Sequence, residues 1–533
     1  MRASRSANGV VRQPKAPDST PTAQQNWRID RRTLFASTAL ASTLLACGLL
    51  APTPASAQQA ISIIGSPTAV DIDNANDCVF PGNCIEITTN GDGAFIDLGN
   101  SGNLTAGQQG IYTRTQAANS AINIVNTGVI SSGYSGSYYG PGILARTAGP
   151  NSPITIDNSA AINSTTSQGI FAQGGNYGIG GPGNPITINN SADINSRAES
   201  IYGETFVDDS PVLITNSGNL DSDGAEVIDS FTEGANSPIT IINSGNGQAF
   251  AQGLEAGTSD VNSPITIVNS GHVSSRDETF NAYTNGANSG LLLINYGELE
   301  SERVGIFGRT SGADSDIVIR NYGSVNSTSV QSKYGPYVSP GFGIQAVTSG
   351  YGSSITLVNT GPITATTGII TRTYGAQSPI QIENSGDITV QSGGTAIKAE
   401  TGSAYVADLG AYSPIEITNS GNLVAEGDGS IGISAITHGH HSPITITNSG
   451  TIDPETGIYA LTYHEYSPIA VINDGDITAN GVALATGIDA SATGRYSPIL
   501  VLNNGNLSAE STAGSAKGIN AYLSRVQPDL YRQ

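Results

Sequence analysis

A nine-residue pattern that recurs at near-regular spacing constrains this chain more than any other feature. "SPITITNSG" at 442–450 has close copies at 152–160, 263–271 and 413–421. A pattern repeated many times along one chain is typical of a structural unit that stacks on its own copies. Counting degenerate copies, fourteen begin 25 to 38 residues apart, at Ser120, Ser152, Asn184, Ser210, Ser237, Ser263, Ser289, Ser315, Ser353, Ser378, Ser413, Ser442, Ser467 and Ser497.

Each period predicts three short β-strands. The anchor strand precedes a second apolar piece such as "DITV" (387–390) and a third such as "GISAIT" (432–437), with turns rich in Gly, Asn, Ser and Asp between them. Because side chains alternate along a strand, the two isoleucines of "SPITITN" share one face. No period has the helical spacing of apolar residues. We therefore predict an all-β chain in which residues 85–524 form a right-handed parallel β-helix with three strands per coil and about fifteen coils.

An asparagine ends every anchor strand and predicts a column along the solenoid. In most copies a glycine follows two residues later, as in Asn448 and Gly450. Because both residue types tolerate a positive φ, the pair is expected at a sharp corner, and stacked amides can hydrogen-bond along the column. The predicted column contains Asn126, Asn158, Asn190, Asn216, Asn243, Asn269, Asn295, Asn321, Asn359, Asn384, Asn419, Asn448, Asn473 and Asn503.

Composition limits the classes of partner. Charged residues make up 12% of the chain, against a typical share of about 25%, so a polar but mostly uncharged surface is expected. The 38% of hydrophobic residues in a regular pattern can bury a thin core. The formal net charge is −22, and the sequence has no basic patch, which argues against nucleic acid as a partner.

The N-terminus predicts an export signal. Basic residues up to Arg32 precede the apolar stretch 33–51, and "ASA" at 55–57 supplies a cleavage site, so residues 1–57 are predicted to be a secretory signal peptide with an extended basic region. Arg31-Arg32 also partly resembles a twin-arginine signal, and "LLAC" (44–47) is near a lipoprotein cleavage box. No other segment is apolar enough to span a bilayer.

Two cysteines remain after the signal peptide. Cys78 and Cys84 flank a Pro-Gly turn in "DCVFPGNC", which predicts one small disulfide loop in an exported protein. The alternative of a metal site lacks partner ligands nearby. Because the loop precedes "IEITTNG" (85–91), we predict that residues 58–84 form an N-terminal cap.

Two insertions interrupt the repeats between the second and third strands. They are "SGYSGSYYGPG" (132–142) and "SVQSKYGPYVSPGFG" (329–343). Loops rich in Tyr and Gly on a rigid scaffold suit contacts with glycans or proteins, although their rings can also fold back over a corner. The candidate ligand contacts are Tyr134, Tyr138, Tyr139, Tyr334, Tyr337 and Phe342.

Histidines cluster near the C-terminal end of the repeats. Tyr412, His441, Tyr466 and Tyr496 occupy one column counted back from the anchor serine. His440, Glu465 and Arg495 occupy the adjacent column, and the two columns are interpreted as aromatic and charged ladders. The alternative is a zinc site made by His438, His440 and His464.

Carboxylates are the candidates for catalysis, because β-helix enzymes that cleave polysaccharides use two or three of them on an outer face. Glu302 is expected to lie beside Arg276 of the previous coil as a surface pair. No nucleophile elbow or phosphate-binding loop occurs, and we predict no catalytic residue, metal or cofactor. The carboxylates considered are Asp208, Asp209, Asp221, Asp223, Glu298, Glu300 and Glu302.

The basic signal region and the "SPITITNSG…GIxAxT" coils resemble the passenger region of Gram-negative bacterial autotransporters, over about residues 60–523. The resemblance implies export, cell-surface display and a role in adhesion. Such proteins end in a translocating β-barrel, whereas this chain ends with the tail 525–533. The resemblance therefore implies a translocator on a separate or missing segment, with a periplasmic location if there is none.

Two function classes follow from the sequence. The first is a secreted or surface-displayed structural or adhesive β-helix rod that binds glycans or proteins through its loops. The second is a polysaccharide-cleaving β-helix enzyme, a lyase or a glycoside hydrolase. The first predicts unbroken ladders and contacts concentrated in the tyrosine loops, and the second predicts converging carboxylates on an outer face.

Overall fold

The chain forms a parallel β-solenoid. The computed structural model describes residues 60–134, 139–176, 181–327, 341–391, 393–403 and 409–524, and every regular element in these ranges is a β-strand. The strands belong to three parallel sheets of 17, 16 and 16 strands, here called sheets A, B and C. The all-β prediction of a parallel β-helix with three strands per coil is confirmed, and the solenoid has about 16 coils.

Sheet B contains the anchor strands. Each begins at the first core residue of the repeat and ends at an asparagine. With strands numbered in chain order, sheet B consists of β2 (Val70–Asn74), β5 (Ile96–Asn100), β8 (Ile122–Asn126), β11 (Ile154–Asn158), β14 (Ile186–Asn190), β17 (Val212–Asn216), β20 (Ile239–Asn243), β23 (Ile265–Asn269), β26 (Leu291–Asn295), β29 (Ile317–Asn321), β32 (Ile355–Asn359), β35 (Ile380–Asn384), β38 (Ile415–Asn419), β41 (Ile444–Asn448), β44 (Ile469–Asn473) and β47 (Ile499–Asn503).

Sheet C follows sheet B within each coil. Most of its strands have three residues, so each places a single side chain outward between two inward ones. Its strands are β3 (Cys78–Phe80), β6 (Leu104–Ala106), β9 (Ile130–Ser132), β12 (Ile162–Ser164), β15 (Ile194–Ser196), β18 (Leu220–Ser222), β21 (Gly247–Ala249), β24 (Val273–Ser275), β27 (Leu299–Ser301), β30 (Val325–Ser327), β33 (Ile363–Ala365), β36 (Ile388–Val390), β39 (Leu423–Ala425), β42 (Ile452–Asp453), β45 (Ile477–Gly481) and β48 (Leu507–Ser511).

Sheet A contains the longest strands, and in the sequence both tyrosine-rich insertions fall between a sheet C strand and the next sheet A strand. Its strands are β1 (Ile61–Ser66), β4 (Ile85–Thr89), β7 (Ile111–Thr115), β10 (Ile143–Thr147), β13 (Ile170–Gly174), β16 (Ile201–Thr205), β19 (Ile228–Thr232), β22 (Leu254–Thr258), β25 (Glu278–Thr284), β28 (Val304–Thr310), β31 (Phe342–Thr348), β34 (Thr367–Thr373), β37 (Thr395–Thr401), β40 (Ile431–Thr437), β43 (Thr456–Thr462), β46 (Leu484–Ala492) and β49 (Ser515–Leu523).

The core consists of inward side chains stacked in register. Ile444 lies between Ile415 of the preceding coil and Ile469 of the following one, and all three are at most 1% exposed. Full burial of an aliphatic side chain of this size contributes about 1.5–3 kcal/mol. Because one coil cannot cover its own apolar face, this gain requires the neighbouring coils.

The asparagine column is a continuous chain of side-chain hydrogen bonds. Asn419 Nδ2 donates to Asn448 Oδ1 at 2.7 Å, and Asn448 Nδ2 donates to Asn473 Oδ1 at 2.7 Å and to the Gly450 carbonyl at 2.8 Å. The structure places all fourteen predicted asparagines in the column, and Asn74 and Asn100 extend it by two coils.

Of the two reasons expected for asparagine in this column, the positive φ at a sharp corner was wrong. The column asparagines end sheet B strands and have no positive φ among the described residues. The other expected reason is confirmed, because their amides hydrogen-bond from one coil to the next. The glycine two residues later also has an ordinary φ, and it is required because a β-carbon at Gly450 would lie 2.0 Å from the carbonyl oxygen of Gly421.

The left-handed corner lies just before the anchor strand, immediately in front of the anchor serine or its equivalent. Most residues there are Asn, Asp or Gly, which tolerate a positive φ. The non-glycine residues at this position have φ between 52° and 57° and are Asn119, Asn151, Asp209, Asn236, Asn262, Asn288, Asp314, Gln377, Tyr412, His441, Tyr466 and Tyr496.

A second polar column, not expected from the sequence, explains the anchor serine. The backbone N–H of Ser413 donates to Oγ of Ser442 at 3.1 Å, and that of Ser442 donates to Oγ of Ser467 at 3.0 Å. These serines are fully buried. Since a buried backbone donor needs a partner, the hydroxyl satisfies an N–H that the corner would leave unpaired.

The solenoid begins earlier than predicted. Residues 61–80 form the strands of a first coil, so the assignment of 58–84 as a cap outside the β-helix was wrong. "IEITT" is the sheet A strand β4 and pairs with β1. The early anchor strands were missed because "VDIDN" (70–74) and "IDLGN" (96–100) have Thr68 and Ala94 at the position where the detected copies have the anchor Ser or Asn.

The disulfide lies inside this first coil. Cys78 and Cys84 are bonded, with Cα atoms 5.9 Å apart, and both side chains are buried in the core. The bridge closes the corner between β3 and β4. The predicted signal peptide (1–57) and tail (525–533) lie outside the described residues.

Replacing both cysteines with alanine is expected to destabilise the first coils by about 2 kcal/mol, since a short closed loop restricts the unfolded chain. Because each coil contacts only its neighbours, the effect should be local. Hydrogen exchange should accelerate in β1–β6 and stay unchanged beyond β12. Equal acceleration along the whole solenoid, or none, would contradict this placement of the bridge.

Candidate functional site

Large aromatic and acidic side chains concentrate on the outward face of sheet A. No aromatic side chain occupies an outward position of the sheet B strands in the described part of the chain. Strand register brings the sheet A residues together over successive coils. We call this surface the acidic–aromatic face. Its rings are Tyr139, Phe171, Tyr202, Phe231 and Tyr283, and its carboxylates are Glu199, Glu204, Glu226, Asp229, Glu255 and Glu278.

Stacked rings and a bridged carboxylate form one end of the face. The Arg146 guanidinium lies 5.1 Å from the Phe171 ring centroid, and Phe171 stacks on Tyr202 at 4.9 Å. The Tyr202 hydroxyl donates to Glu204 at 2.6 Å, and Gln173 donates to the other oxygen of Glu204 at 2.7 Å. Burial raises the pKa of Glu204, although these bonds and Arg146 act to lower it.

Three carboxylates converge next to these rings. Ligand oxygens of Glu199, Glu226 and Asp229 all lie within 4.8 Å of one another. Burial raises the pKa of Asp229 well above its usual range, and the nearby Glu255, Glu226 and Glu199 carboxylates raise it further. Burial also raises the pKa of Glu226. Raised pKa values favour the protonated form of these carboxyl groups. Three carboxylates this close can also bind a hard divalent cation, because Ca²⁺ prefers several carboxylate oxygens.

Glu255 and Tyr283 form the other end of the face. Burial, followed by the charges of nearby glutamates, raises the pKa of Glu255 to about 7. Asn281 Nδ2 donates to Glu255 at 3.0 Å. The Tyr283 ring lies flat over Gly257, where a β-carbon would fall 2.4 Å from the ring. Arg303 forms an ion pair with Glu278 at 3.0 Å.

The first insertion contributes one ring to the face. Tyr139 is 47% exposed, its backbone carbonyl accepts a hydrogen bond from Gln109 at 3.0 Å, and its hydroxyl bonds Ser167. Burial of its other half raises its pKa, and the charge of Arg146 opposes this. Of the candidate ligand contacts, Tyr139 therefore joins the sheet A rings.

The other candidate contacts are dispersed or lie outside the described residues. Tyr134 is 50% exposed at the other end of the first insertion. Phe342 is half-buried at the start of β31, two coils beyond β25. Tyr138, Tyr334 and Tyr337 lie outside the described part of the chain.

The carboxylates selected from the sequence lie away from this face. Asp208 accepts a hydrogen bond from the Ala235 backbone in a corner, and Asp209 occupies a left-handed position. Glu300 lies 3.6 Å from His272 on sheet C. The same surfaces hold the remaining candidates, Asp221, Asp223, Glu298 and Glu302.

The expected pair of Glu302 and Arg276 does not form. No ion pair within 4.0 Å joins these two described residues, because the Arg276 guanidinium lies 4.1 Å from the Phe250 ring centroid instead. The Phe250 ring of the preceding coil provides a flat apolar surface on which the Arg276 guanidinium and its stem can pack. The exposed carboxylate of Glu302 provides no such surface.

The histidines do not converge on one point. His438 is buried, lies 3.4 Å from Glu400 and stacks on Tyr463 at 4.7 Å. The His440 and His464 rings form a separate pair with centroids 4.7 Å apart. Within the described ranges, the one group of three potential metal ligands is Glu199, Glu226 and Asp229, so the zinc alternative at the histidines lacks support.

These features define a three-sided parallel β-solenoid with one outer face that is rich in rings and carboxylates. No protein-family model, curated protein or solved structure matches the chain. Among the described residues, no helix long and apolar enough to cross a membrane is present.

Proposed function

We propose that this chain is an exported β-solenoid of the autotransporter-passenger type, with a structural and adhesive role, which binds glycans or proteins at the acidic–aromatic face. The observation that carries the proposal is the concentration of rings and carboxylates on sheet A, with Tyr139 of the first insertion among the rings.

The chemistry of this face suits polar ligands with apolar surfaces. Rings such as Tyr202 offer flat apolar area, and the adjoining Glu204 and Asp229 offer hydrogen-bond acceptors. Sugars present C–H faces and hydroxyl groups, and protein surfaces present aromatic and basic side chains. A repeated scaffold holds these groups in fixed positions, which lowers the ordering cost of binding.

Export is supported by two features of the chain. The predicted signal peptide at 1–57 would direct the chain to the export machinery. The Cys78–Cys84 disulfide suits an oxidising compartment outside the cytoplasm. The proposed location is the cell surface or the extracellular space, and the alternative is the periplasm. Protease added to intact cells should digest the chain if it is displayed and leave it intact if it is periplasmic.

An array of glycans and surface proteins tests the binding proposal. We expect the full chain to bind at least one ligand, and Tyr202→Ala combined with Asp229→Asn to weaken that binding about tenfold or more. Thr445→Ala combined with Thr447→Ala alters the outward face of sheet B and is the matched control. Equal weakening by both pairs, or no ligand on the array, would overturn the proposal.

A second candidate function is cleavage of a polysaccharide, favoured by the convergence of Glu199, Glu226 and Asp229. A general acid needs a pKa above the ordinary carboxyl range, and burial raises the pKa of Asp229 in that direction. Release of reducing ends or unsaturated sugars from a polysaccharide panel, abolished by Asp229→Asn, would support an enzyme. Intact polysaccharides after incubation with the full chain would exclude it.

A further inference from the structure

Four aromatic side chains occupy positions where the backbone disfavours them. Tyr412, His441, Tyr466 and Tyr496 lie at the left-handed corner before their anchor serines, with φ of 57°, 54°, 57° and 57°. Earlier coils place mainly Asn, Asp or Gly there. A positive φ is uncommon for a residue with a bulky side chain. We call these four residues the corner strip.

The corner strip is an exposed stack of rings. Tyr412 stacks on His441 at 4.9 Å, His441 on Tyr466 at 4.8 Å and Tyr466 on Tyr496 at 5.0 Å, with interplanar angles of 2°, 1° and 13°. The three tyrosines are 56%, 45% and 70% exposed. Since the rings cover one another's faces, they present edges and polar tips to solvent at a constant spacing.

Stability does not account for this choice of residues. For a residue with a β-carbon, the free-energy cost of the left-handed conformation is about equal to the stabilisation that one stacked aromatic pair provides. Asparagine, which is used at Asn236, Asn262 and Asn288, fits the same corner with less strain. An outlier conformation retained at exposed rings points to binding rather than to folding.

We propose that the corner strip is a binding site for a neutral polysaccharide in extended conformation, aligned with the solenoid axis. The polar atoms at the ends of the four rings recur at nearly equal spacing. Each of them could therefore contact the same chemical group in successive units of a polymer. Side chains on one face of an extended peptide recur about every 6.6 Å, which does not match rings 4.8–5.0 Å apart. In an extended pyranose chain the length of one sugar residue is about equal to the spacing between neighbouring aromatic rings of the strip, so one sugar can lie beside each ring.

Charge favours a neutral polymer over an acidic one. The chain has a formal net charge of −22, which repels polyanions. Next to the strip, Glu465 and Arg495 offer charges of both signs, and Tyr463 is a further exposed ring stacked on His438. Hydroxyl groups of a sugar can donate to the carboxylate and accept from the guanidinium, so both charges can be satisfied without an ionic ligand.

Affinity electrophoresis of the full chain tests the proposal. The gel contains hydroxyethylcellulose, laminarin or a soluble mannan as the neutral polymer. Polygalacturonate serves as the acidic polymer for comparison, and a Ser/Thr-rich peptide serves as the extended peptide. The variant replaces Tyr412, His441, Tyr466 and Tyr496 with Asn. The matched control is Tyr296→Asn with Tyr322→Asn, which removes an exposed pair of rings stacked at 5.0 Å whose φ values are ordinary.

At least one neutral polymer should retard the wild-type chain, and the Asn variant should raise the dissociation constant about tenfold or more, with the control unchanged within about twofold. The melting temperature of the Asn variant should stay the same or rise, and Tyr496→Asn alone provides a milder variant. Retardation by none of the neutral polymers, by the acidic polymer or peptide alone, or equally in wild type and variant would overturn the proposal. Ligands of the acidic–aromatic face should still bind the Asn variant, so the two proposals fail separately.

Discussion

Replacing Asn448 with alanine is expected to destabilise the solenoid around β41 by about 3 kcal/mol. Asn448 is fully buried, and the substitution removes its bonds to Asn419, Asn473 and the Gly450 carbonyl. Each buried polar group left without a partner costs about 1–3 kcal/mol. Urea unfolding followed by tyrosine fluorescence measures the loss.

The matched control is Thr447→Ala, the neighbouring outward position of the same strand, which should change stability by about 0.5 kcal/mol or less. Hydrogen exchange should accelerate in β38, β41 and β44 in the Asn448 variant, because coils contact only their neighbours. Equal losses for the two substitutions would mean that the asparagine column contributes nothing beyond side-chain volume.

Lowering the pH from 8 to 5 is expected to stabilise the solenoid. Burial and neighbouring carboxylates raise the pKa of Glu255 from an ordinary 4.5 to about 7. Between the unfolded-state pKa of about 4.5 and the folded-state pKa of about 7, the folded protein holds a proton on Glu255 that the unfolded chain has released. The free energy of unfolding is therefore highest below about pH 4.5 and falls as the pH rises to about 7. The corresponding change in unfolding free energy is about 3 kcal/mol.

Substituting Glu255→Gln should reduce this pH dependence, to which the raised pKa values of Asp229, Glu226 and Glu204 also contribute, and should stabilise the protein at pH 8. Glu416→Gln on the exposed face of sheet B should change neither. Below about pH 4.5 the trend should reverse, because a hydrogen bond from His438, together with Arg372, lowers the pKa of Glu400 to about 2. Urea midpoints from pH 3 to 8 measure both arms. A wild-type stability that rises steadily from pH 5 to 8 would refute the ionisation scheme.

Most of the fold could be predicted from the sequence because the repeat encodes it locally. Alternating isoleucines specify the inward face, and the position of Asn448 relative to Ser442 fixes the spacing of the two polar columns. The first coils were missed because Thr68 and Ala94 replace the anchor serine two residues before Val70 and Ile96. The core spacing persists there, but the anchor used to detect repeats does not.

The acidic–aromatic face could not be predicted from the anchors alone. Its residues lie in third strands whose distance from the anchor varies with loop length, so Asp229 and Glu255 become neighbours only through strand register. Desolvation, which controls the pKa of Asp229, depends on surrounding coils that no local pattern describes. Aligning the "GIxAxT" strands would have shown the rows of rings, because Phe171 and Tyr202 occupy equivalent positions.

Carboxyl footprinting of the full chain tests the central claim most directly. Carbodiimide labelling is measured by mass spectrometry with and without the ligand that the array identifies. Bound ligand is predicted to reduce labelling of Glu199, Glu226 and Glu255 and to leave Glu383 and Glu416 on sheet B unchanged. Unchanged labelling on sheet A, or protection confined to sheet B, would contradict the assignment of the acidic–aromatic face as the binding surface.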